Sequence, residues 1–155
     1  LPDDLLRRIA DGGGVIQVCF FSDFVKKPKP YPERDAAIEV LKKKYPNYAV
    51  LPSAEKQIAQ MDWDRLDVDY VRELATIADV VDHIDHIVRV AGIDHVGIGT
   101  DLDGGGEVQD LYNVSQMKNI TRELVRRGYS DAEIEKIWGA NFMRVFGDIL
   151  ASAKG

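Results

Sequence analysis

A single cysteine, Cys19, rules out an internal disulfide. Its neighbours Val18 and Phe20 place that thiol in a buried strand, as an inert side chain and not a nucleophile. Basic charge is also scarce. With 20 Lys and Arg against 26 Asp and Glu, the formal net charge is -6 and no basic stripe stands out, which argues against nucleic acid as a partner. No apolar run is long enough to cross a membrane, and no internal repeat or low-complexity tract appears. Histidine is rare: only His83, His86 and His95 are present. What remains is a mildly acidic chain of 155 residues, 45% hydrophobic, the size of one domain and with enough apolar content for a core.

The elements alternate. Pro2, Asp3 and Asp4 give a helix start with Leu5, Leu6 and Ile9 on its apolar face, and Gly12 to Gly14 stop it. The chain opens directly into that helix, and no signal peptide is expected within it. Val15 to Phe21 reads as a buried parallel strand interrupted only by Gln17. A long excursion follows, from Ser22 to about Ala75. It contains a Lys-Pro-rich segment, a helix over Glu33 to Tyr45 with Lys42, Lys43 and Lys44 as a solvated end, and a second short helix over Ser53 to Met61. An excursion of this length is either a lid or binding element or plain decoration. The clearest helix runs from Ile77 to Ala91, capped by Thr76, ended by Gly92, and striped with Ile77, Val80, Val81, Ile84, Ile87, Val88 and Ala91. The strand Val96 to Thr100 comes next. Val114 to Arg127 reads as a helix, and Ser130-Asp-Ala-Glu133 is a capping box that starts a last helix in which Trp138, Phe142 and Phe146 read as core.

Helix, strand, helix, strand implies an α/β fold with right-handed crossovers. Two buried-type strands are too few to satisfy their own edges, so the fold is expected to be incomplete without further strands.

Chemistry concentrates in His95-Val-Gly-Ile-Gly-Thr-Asp101-Leu-Asp103-Gly-Gly-Gly106, where a short strand delivers two carboxylates and breaks into glycine. Asp101 stands at the strand's C-terminal end, where parallel sheets place reactive groups. Its alternative is a structural carboxylate capping the glycine turn. A calcium loop fails because Gly105 offers no side-chain ligand and Tyr112 stands where a bidentate glutamate is needed. Gly97-x-Gly99 lacks the third glycine and helix of a dinucleotide site. Asp82-His83-Ile84-Asp85-His86 looks like a metal cluster, but helical geometry puts both histidines off the apolar stripe, on the flank or solvent side. His95 lies at the sheet end opposite Asp101.

The run from Thr76 to Gly106, together with Pro2-Asp-Asp-Leu-Leu, the strand Gly14 to Phe21, Asn119 to Ser130 and Ile137-Trp-Gly-Ala-Asn-Phe-Met-Arg-Val-Phe146, strongly resembles the membrane dipeptidase (renal dipeptidase-like) family of zinc peptidases. Only Lys26 to about Tyr70 is poorly covered. The resemblance implies a (β/α)8 TIM barrel of the metal-dependent hydrolase type, of which residues 1–155 would be the C-terminal portion: the last two strands and their helices, with an insertion at about 22–75. It implies two zinc ions held by residues of earlier strands outside this chain, so that no metal ligand is assigned here. An arginine gripping the substrate carboxylate would fall just before Leu1.

Of the family's active-site residues only one aspartate carries over, onto Asp101, as proton carrier and substrate contact in the hydrolysis of a dipeptide. Asp103 and the glycines would shape the loop. Phe21 stands where some relatives have a tyrosine. The expected partners are a dipeptide substrate and the N-terminal remainder of the barrel, in the same protein or a companion chain; a homodimer is left open. Alone, the chain should be inactive. Two competing readings keep the architecture: a related metal-dependent hydrolase of another amide or β-lactam bond, and a non-catalytic barrel-derived binding module.

Overall fold

A computed structural model describes residues 1–153, and the side chain of Asp103 lies outside the described set. Contacts divide the chain into two compact units: Leu1–Lys27 with Leu74–Gly155, and Pro28–Glu73. No helix among the described residues is long and apolar enough to cross a membrane.

The first unit is helical around a small parallel sheet. Helix α1 (Asp3–Asp11) leads into β1 (Ile16–Val18) and the one-turn α2 (Ser22–Val25). Helix α5 (Ile77–Ala91) has the bounds its pattern dictates. The Thr76 hydroxyl accepts from the Asp79 amide at 3.2 Å while the Asp79 carboxylate accepts from the Thr76 amide at 2.7 Å, which satisfies two otherwise orphaned donors. Gly92, at φ 96°, ends the helix in a conformation that favours glycine. Val80, Val81, Ile84 and Ile87 are buried along it.

Strand β2 (Val96–Ile98) pairs in parallel with β1 in the register Ile16 to Val96, Gln17 to Gly97 and Val18 to Ile98. Backbone bonds continue past the regular strands, from Gly99 N–H to Val18 O at 2.9 Å and from Phe20 N–H to Thr100 O at 3.1 Å. The seven-residue strand expected over Val15 to Phe21 is thus regular for only three residues.

Alternation puts Val18, Phe20 and Val96 on one face, all buried, and puts Gln17 on the other, where it is exposed. A Cβ built on Gly97 would come within 2.4 Å of the Gln17 side-chain oxygen, and one on Gly99 within 3.0 Å of Gln17 Cβ. The Gly-x-Gly of β2 therefore makes room for the one polar residue of β1.

Helix α6 (Lys118–Arg126) is shorter than the expected Val114 to Arg127, because a 3-10 turn occupies Val114–Gln116. Asn113 Oδ1 accepts from the Ser115 amide at 3.0 Å and Gln116 Oε1 from the Tyr112 amide at 2.7 Å, and these local bonds tighten the first turn. Arg127 joins α6 to α5. It donates to Asp82 at 2.6 Å, to Asp85 at 2.5 Å, to Glu123 at 2.8 Å and to the Ala78 carbonyl at 2.8 Å. Hydrogen bonds from Arg126, with Arg127 beside it, hold the Glu123 carboxyl down to about 2. Burial, helped by the bond to Asp85, pushes the Tyr129 phenol up.

The Ser130 capping box is present and opens α7 (Asp131–Glu135), which passes through a π turn at Lys136–Ala140 into α8 (Asn141–Ser152). Trp138, Phe142 and Phe146 are not core: they are 37%, 49% and 46% exposed. The buried row here is Ile134, Ile137 and Asn141, and the aromatics stand one position round the helix from it. The rings of Phe142 and Phe146 lie parallel at 6.2 Å.

The second unit is a helical pair, α3 (Pro32–Lys44) and α4 (Ser53–Asp69), joined through a 3-10 turn at Tyr48–Val50. Helix α4 runs well past the Met61 end expected for it, and it buries Leu66 in the added turns. Asp62 explains part of the extension, since it accepts from Lys44 and from the Tyr45 hydroxyl, each at 2.6 Å. Lys44 is therefore paired, whereas Lys43 and Lys42 keep to the exposed end, Lys42 bonded to Glu39 at 2.8 Å.

Candidate active site

The C-terminal end of the sheet is built by the residues that follow β1 and β2. Asp101 leaves the ladder one residue after Thr100 and adopts φ 67° and ψ 29°, a left-handed backbone that is uncommon outside glycine. Its carbonyl accepts from the Gly106 amide at 2.6 Å and from the Gly104 amide at 3.1 Å, so the turn closes on Asp101 itself. The side chain is exposed. Its Oδ2 accepts from the Cys19 thiol, Sγ to Oδ2 3.6 Å, which crosses from the equivalent end of β1.

Cys19 is thus corrected in two respects. It lies just beyond the regular strand, only half-buried, and it contacts the carboxylate that the sequence singled out. Strand alternation explains the meeting: residues 17 and 19 share one face of β1, and 97, 99 and 101 share the same face of β2. That alternation was available in the sequence, but not the register needed to use it. Phe21 follows Cys19 by two, and its ring lies 3.7 Å from where a Cβ on Gly105 would stand.

The opposite end of the sheet is made differently. His95 Nδ1 donates to the Gly14 carbonyl at 2.7 Å, and the buried Asn141 amide donates to the carbonyls of Ile93 at 2.7 Å and Val96 at 2.9 Å. Arg144 adds bonds to Gly13 O at 2.8 Å and Asp94 O at 3.0 Å, and Lys136 pairs with Asp94 at 2.6 Å. His95 is far from Asp101 along the strand, as its position before β2 requires.

His83 and His86 do not join Asp101. His83 Nε2 donates to Val25 O at 2.7 Å; His86 lies between Asp3, 2.8 Å from Nε2, and Arg89, which donates to Nδ1 at 2.7 Å. Among the described residues, no three His, Cys, Asp or Glu side chains gather into a group able to hold a metal ion. The calcium-loop carboxylate Asp103 lies outside the described side chains.

This arrangement presents one exposed carboxylate, backed by a thiol and enclosed by a glycine turn, at the C-terminal end of a parallel sheet. Such a group can hold a substrate amine or carry a proton. Comparison with known proteins gives it a family. The family model described as "Membrane dipeptidase (Peptidase family M19)" matches residues 1–155. Dipeptidase tcpJ of Claviceps purpurea is 42% identical over 87 residues, which is 54% of this chain and 20% of that protein. An uncharacterised dipeptidase of Schizosaccharomyces pombe is 31% identical over 146 residues, 93% of this chain and 25% of that protein.

Among solved structures, the probable dipeptidase PvdM from Pseudomonas aeruginosa superposes with a TM-score of 0.69 at 31% identity, over 95% of this chain and 40% of that one. A metallopeptidase from Rhodobacter sphaeroides, liganded with a phosphinate mimic of L-Ala-D-Ala, shares the fold at a TM-score of 0.59 and 20% identity, over 92% of this chain and 29% of that one. The chain therefore spans a quarter or less of the length of the curated relatives it matches. With the family model covering it from end to end, the chain belongs to the membrane dipeptidase family.

Proposed function

We propose that this chain is the C-terminal part of a zinc-dependent dipeptidase, in which Asp101 carries the proton between the attacking water and the departing amine. The observation that carries the reading is the placement of Asp101: an exposed carboxylate, in a left-handed turn, just past the C-terminal end of β2 and on the sheet face opposite the buried Val18, Phe20 and Val96. Hydrolysis of a peptide bond takes one proton from water and returns one to the amine nitrogen. A carboxylate does both in sequence, accepting the first and donating it back, and general acid-base help of this kind is worth roughly 10²–10⁴-fold. The same oxygen, after the transfer, is placed to hold the new amino group.

The remaining residues support an incomplete barrel. Each of the two strands has one edge without a strand partner among the described residues. A hollow of about 270 Å³ lies along β1, lined by Leu6, Ile16, Val18, Phe24, Val25 and Ile87. The exposed row Trp138, Phe142 and Phe146 is apolar surface that a further helix of the same barrel would cover. The described side chains do not make a zinc site, so in this reading zinc is held by the earlier strands. This chain's share of the chemistry is the proton at Asp101.

Two measurements test it. In the complete zinc-loaded protein, Asp101→Asn should lower dipeptide turnover about 10²–10⁴-fold while zinc content is kept. Residues 1–155 by themselves should neither hold stoichiometric zinc nor turn over dipeptides. Tight stoichiometric zinc with turnover from the isolated chain would sink the assignment of the metal to the earlier strands.

A further inference from the structure

The glycine at 104 stands in a specific relation to the carboxylate. An ideal Cβ built on Gly104 would lie 2.2 Å from Asp101 Oδ1 and 2.9 Å from Asp101 Cγ. The carboxylate therefore occupies the space in which any other residue would carry its side chain. On its other side the thiol of Cys19 reaches Oδ2 at 3.6 Å. The backbone beneath is fixed independently, because the Asp101 carbonyl accepts from two amides of the same turn.

The geometry points to Gly104 as a positioning residue: its missing Cβ is what lets the Asp101 carboxylate lie folded over its own turn, against Cys19, in the orientation used for proton transfer. This rests on Asp101 being the proton carrier. The turn's other close glycine behaves differently. A Cβ on Gly106 would meet backbone, Asp101 O at 2.5 Å and Thr100 O at 2.6 Å, so a substitution there must move the main chain. At Gly104 the atom met first is the end of a rotatable side chain. The low-cost relief is rotation of the carboxylate about its own bonds, with the loop left in place. Gly104 is also not among the glycines with positive φ, so alanine meets no backbone penalty there.

The test uses the complete zinc-loaded protein with an Ala-containing dipeptide. Gly104→Ala should lower kcat about 100-fold, the scale of a misplaced catalytic group, with KM, zinc content and melting temperature as in the parent. In an Asp101→Asn background the same substitution should cause no further loss, because the group it displaces is already gone. Gly106→Ala should lower the melting temperature as well as turnover. Parental kcat in Gly104→Ala, with Asp101→Asn inactive, overturns the positioning role and leaves the proton-carrier reading standing. A full additional loss in the double variant overturns it too. So does loss of fold or zinc in Gly104→Ala, since the loop and not the carboxylate would then have given way. Parental turnover in Asp101→Asn sinks both readings together.

Discussion

The two ends of the small sheet are built on opposite plans. At the N-terminal end, hydrogen-bonding groups meet partners: His95 takes Gly14, Asn141 takes two carbonyls, and Arg144 takes two more. At the C-terminal end the chain folds a turn back on its own carbonyl and leaves an exposed carboxylate lying over that turn, with a weak thiol donor for company. The two ends thus differ along the strand axis in how far their polar groups are paired within the protein. Polar contacts hold one end, and at the other the absent Cβ of Gly104 leaves room for the Asp101 carboxylate.

The largest effect expected from breaking this division is on chemistry. Asp101→Asn should cost two to four orders of magnitude in dipeptide turnover, with little change in unfolding midpoint, because the exposed carboxylate has few contacts to lose. The converse substitution is Asn141→Leu. It leaves the buried carbonyl of Val96 and the half-buried carbonyl of Ile93 without this donor, at about 1–3 kcal/mol for the buried one and less for the other. Urea unfolding should show the loss, while dipeptide turnover per folded molecule of the complete protein should be retained.

A third prediction concerns pH. The Glu123 carboxyl is held down to about 2 in the folded state against an ordinary 4.5, so its contribution to stability is complete above pH 4.5 and is lost as pH falls toward 2. Glu123→Gln should flatten the acid limb of the unfolding midpoint and lower stability at neutral pH. An unchanged acid limb would show that the Arg126 and Arg127 bonds do not hold in solution. The smallest effect is expected at Cys19→Ala: a thiol at 3.6 Å is a weak donor, and kcat should fall less than about threefold. A larger loss would move Cys19 beside Gly104 as a determinant of the carboxylate's orientation.

Much of this was legible beforehand, for identifiable reasons. Helix α5 was readable to the residue because its stripe, its Thr76 cap and its Gly92 stop agree, and local signals that agree leave tertiary structure little to decide. The Ser130 box was readable for the same reason. Helix α4 was not: its extension beyond Met61 depends on pairing Asp62 with residues 17 and 18 positions back in sequence. The row of Trp138, Phe142 and Phe146 was misread because adjacent stripes on one helix are equally apolar, and composition does not say which one turns inward.

The candidate site divides in the same way. Sequence by itself determined that Asp101 ends an apolar strand, that glycine follows, and that the motifs around it belong to one peptidase family. Only the tertiary structure decided that Cys19 meets it, since a contact across 82 positions depends on the parallel register of β1 and β2. Only the tertiary structure decided, too, that Gly104 lies beneath the carboxylate. A glycine is written the same way whether it supplies a left-handed turn, close backbone approach or room for a neighbour's side chain, and the distinction exists only once the neighbouring atoms have positions.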